Sequence, residues 1–417
     1  MSAFQIIALL LTIAAMAGYV NHRFVKLPQA IGVMALALTM SLVGFTLGKL
    51  GFINTDWVRQ IMERIDFTEL LLHGLLSFLL FAAALHVNLA ALREVRWAVA
   101  LLATGGVVLS VLITGTLIWA ITDWLGINLP YVYALLFGAL IAPTDAIAVL
   151  GILKNAKVTR RLYYKIGGES LFNDGTGIVV FLILLGVAQS ATPVTIASIS
   201  YLFLREALGG ILLGAAAGWG TYALIRRIDE YRIEVMLTLA LVTGGYALAE
   251  ALHVSAPVAV AVAGLIIGNH GRERIMSERT RIRLDLFWEL LDEILNTVLF
   301  MIIGLQLVVI SIGIKDIELG FFAILAVLIG RWLSVALLIN LLRVWQPFER
   351  GTITLLTWGA LRGGISIALA LSLPVGPERE LILAMTYIVV VFSILVQGTT
   401  FGRVIPLVTA PPRGSQG

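Results

Sequence analysis

The chain has no cysteine, which excludes disulfides, thiolate metal centres and a cysteine nucleophile. Charge is scarce: Asp, Glu, Lys and Arg make up 13% of the 417 residues, against 59% hydrophobic. Histidine is thin and scattered (His22, His73, His86, His253 and His270), with no metal-ligand spacing. Long polar segments are missing too. The tail after Arg403 is short, so no soluble domain is expected and any activity must lie within the apolar part. What is abundant is apolar surface, with a mean hydropathy of +0.99. Only helices or closed barrels can cross lipid, because their backbones are satisfied internally. The apolar runs are about 18 to 25 residues long, which suits helices and is too long for barrel strands. The composition therefore predicts an all-α polytopic membrane protein.

Thirteen hydrophobic spans can be read, near 3–20, 27–49, 68–88, 97–122, 131–153, 168–189, 200–225, 234–252, 254–269, 286–311, 318–342, 351–374 and 381–403. The eighth and ninth are separated by only a short break around His253, in "ALHVSAPVAV". The first lacks an A-x-A-like cleavage pattern and reads as retained rather than as a signal peptide. With the N-terminus outside, the inner loops and tail hold 21 Lys and Arg residues and the outer loops hold 6. That bias predicts N-out, C-in, and an odd number of spans agrees with it. The sequence pI of 9.4 then reflects orientation rather than nucleic-acid binding. Residues 1–403 read as one transmembrane domain and 404–417 as a short cytoplasmic tail.

Ionisable residues inside spans are costly and by default mark function. Asp145, Glu169, Asp174, Glu250, Arg331 and Arg362 are so placed; the bland alternative is buried ion pairs that hold helices together. In "GALIAPTDAIAVL" (138–150), Pro143 removes a backbone donor and disrupts the preceding turn. In "TWGALRGGISIALAL" (357–371), Gly359, Gly363 and Gly364 loosen the chain around Arg362. These are spans five and twelve. An offset of seven gives opposite orientations, as an inverted repeat of spans 1–6 and 8–13 requires, and paired broken spans mark a transporter's binding site. Two broken helices that cross bring partly positive N-termini and partly negative C-termini together. Asp145 and Arg362 have the signs and positions to offset them.

The stretch "GGESLFNDGTG" (167–177) opens an apolar span with two acids and an amide. On a helix, Ser170 and Asp174 share one face and Glu169 and Asn173 the next. Oxygen ligands suit a hard cation, and one carboxylate among neutral oxygens suits a monovalent ion that must also leave. Desolvation favours the neutral form of a carboxylate. A site that takes a proton or a cation, but not both, is the core of an exchanger. Glu169 then needs a cationic partner, and Arg331 in "LIGRWLSV" is the best candidate. Glu289, Asp292 and Glu293 read as a solvated or paired face rather than as a cation lure.

The segments "GGESLFNDGTG", "APTDAIAV", "ALHVSAPVAVAVAGLIIGN", "FWELLDEILNTVLFMIIGLQL" and "WGALRGGISIAL" resemble the cation–proton antiporter family. The branch is that of the NhaP-type bacterial sodium/proton antiporters and the animal sodium–hydrogen exchangers, and the resemblance covers nearly the whole chain in order. It implies a thirteen-helix inverted-repeat fold and a homodimer. A core part, with spans near 131–189 and 351–403, would move against a dimerisation part. It implies that Asp174 is the ion-binding carboxylate, with Asn173 its amide partner and Ser170 and Thr144 supporting ligands. It also implies that Glu169 pairs with an arginine, for which Arg331 fits better than Arg362. The third span departs from the pattern, with His86 and Asn88 where several relatives carry an acid. The long regulatory tail of the animal exchangers is absent.

The sequence thus predicts a secondary transporter, not an enzyme and without a cofactor, in a cell membrane. It would exchange Na⁺ (or Li⁺) for H⁺ one for one by alternating access, with Na⁺ at Asp174, Ser170 and Thr144 and with Asp145 alongside. A K⁺/H⁺ antiporter would use the same residues. A sodium-coupled symporter would need a polar pocket for an organic substrate, and an intramembrane enzyme a nucleophile–base pair; neither pattern is found.

Overall fold

The computed structural model describes residues 3–49, 74–154, 156, 158–189, 196–271, 277–306 and 313–409. Residues 68–73 of the third expected span, and His73 with them, lie outside the described part, as do 410–417 of the expected tail. Among the described residues all regular structure is helical. Among the described residues seven helices are long and apolar enough to cross a membrane; Gln29–Gly44, Leu76–Leu85, Tyr131–Ile141 and Ala256–His270 are shorter. The count of thirteen remains an expectation from the sequence.

The helices are α1 (Ala3–Val20), α2 (Gln29–Lys49), α3 (Leu76–Leu85), α4 (Leu89–Leu101), α5 (Val107–Trp124), α6 (Tyr131–Ile141), α7 (Ala146–Lys154), α8 (Arg160–Gln189), α9 (Ile196–Ile225), α10 (Tyr231–Ala251), α11 (Ala256–Ile266), α12 (Glu278–Leu305), α13 (Ile314–Leu342), α14 (Thr352–Trp358), α15 (Gly364–Leu371), α16 (Pro377–Phe392) and α17 (Gly398–Thr409). A π-helical turn at Leu102–Gly106 fuses α4 and α5, and another at Ser393–Gln397 fuses α16 and α17.

Several boundaries differ from the sequence expectation for local reasons. Asn88 accepts from the Ala91 N–H at 2.9 Å and so starts α4 there. Arg93 and Arg96 therefore ride on the first turns of a helix, not in a loop. The short break at His253 is a real turn, with His253 in the left-handed region at φ 54°. The last helix runs on to Thr409, so the start of the expected tail is helical.

The helices pack in two groups. One holds α1–α3 and α9–α12; the other holds α4–α8 and α13–α17. Within the first, α9 and α11 approach closely along Gly210, Gly214 and Gly218. A methyl on Gly210 would sit 2.7 Å from the Ser255 carbonyl, and one on Gly214 would strike the Ala259 backbone. Small residues four apart let helix backbones approach where lipid gives no hydrophobic drive to association. The second group has its own apolar core around Leu102, Leu162, Val335, Leu355 and Phe401.

Both of the spans expected to be broken are broken. The chain is non-helical from Ala142 to Asp145, between α6 and α7, and from Gly359 to Gly363, between α14 and α15. The two breaks touch, because the Asp145 N–H donates to the Leu361 carbonyl at 2.8 Å.

Candidate functional site

A broken helix frees backbone groups that, in a buried place, must be satisfied by other means. The crossing supplies each partner from a different helix. Arg362, 2% exposed, donates through Nη1 to the carbonyls of Ala142 (2.6 Å) and Pro143 (3.1 Å), the loose C-terminal end of α6. The Arg362 N–H donates to Ser393 Oγ at 2.8 Å, and Gln397 Nε2 donates to the Trp358 carbonyl at 3.1 Å. Both side chains come from the π-helical turn between α16 and α17. A methyl on Gly363 would lie 3.3 Å from Asp145 Oδ2. The Asp145 carboxylate thus sits where α7 and α15 both begin, at two partly positive helix ends.

Helix α8 passes this crossing with the motif residues facing it. Asn173 Oδ1 accepts from the Thr144 N–H at 3.2 Å. Its Nδ2 donates to Thr144 Oγ1 (2.7 Å) and to Glu169 Oε1 (2.9 Å). Both amide protons and the carbonyl are therefore committed. Ser170 Oγ donates to the Thr144 carbonyl at 2.8 Å. That uses its only proton, so in the 2.6 Å contact between the two hydroxyls Thr144 Oγ1 is the donor. Each hydroxyl keeps one lone pair unspent.

Glu169 meets Arg331 of α13 in a two-pronged ion pair, Nη1 to Oε1 at 2.9 Å and Nη2 to Oε2 at 2.8 Å. Both are buried, at 1% and 3% exposure. Arg331 Nε also donates to the Leu356 carbonyl at 3.3 Å, reaching the broken helix α14. Arg362 does not serve Glu169; its fork is turned to the α6 carbonyls.

Asp174 lies beside the Thr144 backbone, on the cavity side of this network. It is 4% exposed, and its Oδ1 has no hydrogen-bond partner among the described residues. With Thr144 and Asp145 it lines a cavity of about 40 Å³ between the two helix groups, walled by Leu76, Leu80 and Ala83 of α3 and Asn296 and Leu299 of α12. A space of that size can hold one or a few water-sized occupants. Ser170 does not line it; it lies behind Thr144.

Ala83 also lines a second, wider cavity of about 770 Å³. Its walls carry Asp285, Glu289 and Asp292 from α12 and Arg160, Tyr163 and Tyr164 from α8, with His86 at the end of α3. The sequence reading of this part of α12 as a solvated or paired face holds. Glu289, exposed, and Asp292, half-buried, line this vestibule, which shares Ala83 with the small cavity, and Asp292 accepts from Asn296 Nδ2 at 3.2 Å. Glu293 is exposed as well, away from the cavity walls. Ser393, Gln397, Asp285 and Asn296 were missed. For the last two the signal was present: residues 285, 289, 292 and 296 recur at helical spacing on one face. Glu250, near the end of α10, lies on neither cavity wall.

Comparison with known proteins bears on the family and the fold. The family model "Sodium/hydrogen exchanger, transmembrane" matches residues 10–406. The Na⁺/H⁺ antiporter NhaP of Pseudomonas aeruginosa is 50% identical over 406 residues, 96% of each chain. The Na⁺/H⁺ antiporter NhaH of Halobacillus dabanensis is 34% identical over 370 residues, 87% of this chain and 89% of that one. The structure of the sodium proton antiporter MjNhaP1 from Methanocaldococcus jannaschii superposes with a TM-score of 0.77 at 20% identity, covering 99% of this chain and 100% of that one. Together with the two broken, touching helices and the acid-bearing helix beside them, these matches identify the chain as a member of the sodium/hydrogen exchanger family, a secondary transporter and not an enzyme.

Proposed function

We propose that Asp174 is the shared proton and sodium site, and that the protein exchanges Na⁺ for H⁺ by alternating access with one-for-one stoichiometry. One observation carries this reading: a buried carboxylate with an unpartnered oxygen, facing a small cavity, among polar groups whose protons are already committed. Glu169 is neutralised by Arg331. Asp145 and Arg362 are opposite charges spent on helix ends. Asp174 therefore leaves the crossing one charge short of neutral, and either H⁺ or Na⁺ completes it.

Na⁺ is bound by Asp174 Oδ1 and the spare lone pair of Thr144 Oγ1, with Ser170 Oγ holding Thr144 in place from behind. Hard oxygen donors fit this ion. Coupling follows from desolvation. A bare carboxylate carried through an apolar barrier is strongly disfavoured. The loaded site crosses and the empty one does not, so each transit carries one ion. In this reading the second helix group, α4–α8 and α13–α17, moves against the first, which forms the homodimer. The N-terminus lies outside a cell membrane and the C-terminus inside.

The test is Asp174→Asn, an isosteric change that keeps size and polarity but holds neither ion. Everted vesicles with a pH-sensitive dye should show dequenching on NaCl for the native protein and none for the variant. Separate additions of LiCl and KCl give the selectivity. Substantial Na⁺-dependent proton movement in a folded Asp174→Asn protein would remove Asp174 from this role.

A further inference from the structure

The cavity at Asp174 has two walls of different origin. Thr144, Asp145 and Asp174 belong to the moving group in the reading above, whereas Asn296 comes from α12 of the other group. Asn296 is 8% exposed and is the one amide among the residues that line this space. Its Nδ2 donates to Asp292 Oδ1, one turn earlier, at 3.2 Å. With the amide nitrogen engaged there, the carbonyl oxygen is the ligand this side chain has to offer the cavity it lines. Asp292 itself lines the wide vestibule, with Glu289 and Asp285 one and two turns beyond. The small cavity and the vestibule share Ala83 as a wall.

A cation shedding water needs replacement oxygens at each step, because desolvating a charge without compensation is costly. The stripe on α12 provides carboxylates as far as Asp292, and Asp174 provides the final one. Between them the Asn296 carbonyl is the polar group on the α12 wall of the cavity. A carboxylate at that place would hold the ion on the stationary wall; an amide oxygen is a weaker ligand that lets go.

We infer that Asn296 is a positioning residue for cation transfer, its carbonyl oxygen handing a partly dehydrated Na⁺ from Asp292 in the vestibule to Asp174 in the site. The inference rests on the Asp174 reading and adds a ligand from the opposite helix group. Because Asn296 stays behind when the site moves, its oxygen acts on loading and not on the barrier crossing. Its removal should therefore weaken apparent Na⁺ affinity and spare the maximal rate.

The experiment measures Na⁺-driven proton flux in proteoliposomes against Na⁺ concentration, for the native protein and for Asn296→Leu, Asn296→Gln, Asn296→Asp and Asp292→Asn. Asn296→Leu should raise KM for Na⁺ roughly tenfold, the loss of one oxygen contact to a charge, with kcat within about twofold. Asn296→Gln restores an amide oxygen and should recover most of the affinity. Asn296→Asp should lower KM and also lower kcat, because the ion is then held on the wrong wall. Asp292→Asn should raise KM, and with Asn296→Leu the two effects should be less than additive. Unchanged KM in folded Asn296→Leu, or a fall in kcat alone, overturns the inference. Failure of the underlying reading looks different, since it would appear as transport by Asp174→Asn whatever stands at 296.

Discussion

Removing one partner of the Glu169–Arg331 pair should cost far more than removing both. Each residue is almost fully buried, and two parallel bonds of 2.8 and 2.9 Å join them. A hydrogen bond to a charged group contributes about 1.5–3 kcal/mol, so the pair carries on the order of 3–6 kcal/mol. Stranding one buried charge costs about 3–5 kcal/mol in other proteins, which agrees. Glu169→Gln keeps an acceptor for Asn173 Nδ2, so its loss is confined to Arg331. Arg331→Met keeps the bulk but leaves Glu169 with Asn173 alone. The double variant strands neither charge and should recover much of either single loss. Denaturation of purified protein in detergent, measured for all four members of the cycle, reads this directly. Arg362→Met is the control. Its bonds run to the Ala142 and Pro143 carbonyls, so Glu169→Gln should not rescue it. Additive losses for Glu169 and Arg331 would refute direct pairing.

Three further tests bear on the site. One-for-one exchange moves no net charge, so Na⁺-driven flux in proteoliposomes clamped with K⁺ and valinomycin should reverse at the same ion gradients whatever the voltage. Each 100 mV acts on a net moved charge with about 2.3 kcal/mol, and a reversal point that follows voltage would mean a second proton carrier, Asp145 or Glu169. Thr144→Val keeps the shape but removes a ligand lone pair and the acceptor for Asn173. It should raise KM for Na⁺ by roughly tenfold while Thr144→Ser stays near native, and equal KM values would take the hydroxyl out of the site. In Gly177→Ala the new methyl would come 2.7 Å from Pro143 Cγ and 2.8 Å from Cδ. Overpacking against a rigid ring costs about 1–3 kcal/mol, so both melting temperature and transport should fall; native transport would show that the break tolerates displacement.

What was legible in the sequence was what is rare in an apolar chain. Pro143 and the paired Gly363 and Gly364 marked the breaks because they cannot or need not continue a helix. Glu169, Asp174, Arg331 and Arg362 stood out because charge in lipid demands a reason. Ser393 and Gln397 did not stand out. Each is a common polar residue in an otherwise apolar span, and its role exists only because a distant break leaves the Arg362 N–H and the Trp358 carbonyl without helical partners. That is a tertiary fact with no local signature. The vestibule was obscured by a boundary. The span was read from 286, so Asp285 fell outside it, and the acidic face looked like an ordinary wetted surface. Helix starts shifted for the same kind of reason, as at Asn88, where a side-chain cap extends α4 past the apolar run.

The stitching at the crossing bears on direction. Asp145 is tied to Leu361, Arg362 to Ala142, Pro143 and Ser393, and Thr144 to Asn173 and Ser170. Thr144 and Asp174 cannot separate without breaking several of these bonds at once. In the proposed reading, a cation arriving from either compartment meets the same Thr144 and Asp174 oxygens, with the Asn296 oxygen added on the vestibule side alone. Such a device is thermodynamically without preference. It has no built-in import or export sense, and the sign of net flux at any moment is set by the two ion gradients alone.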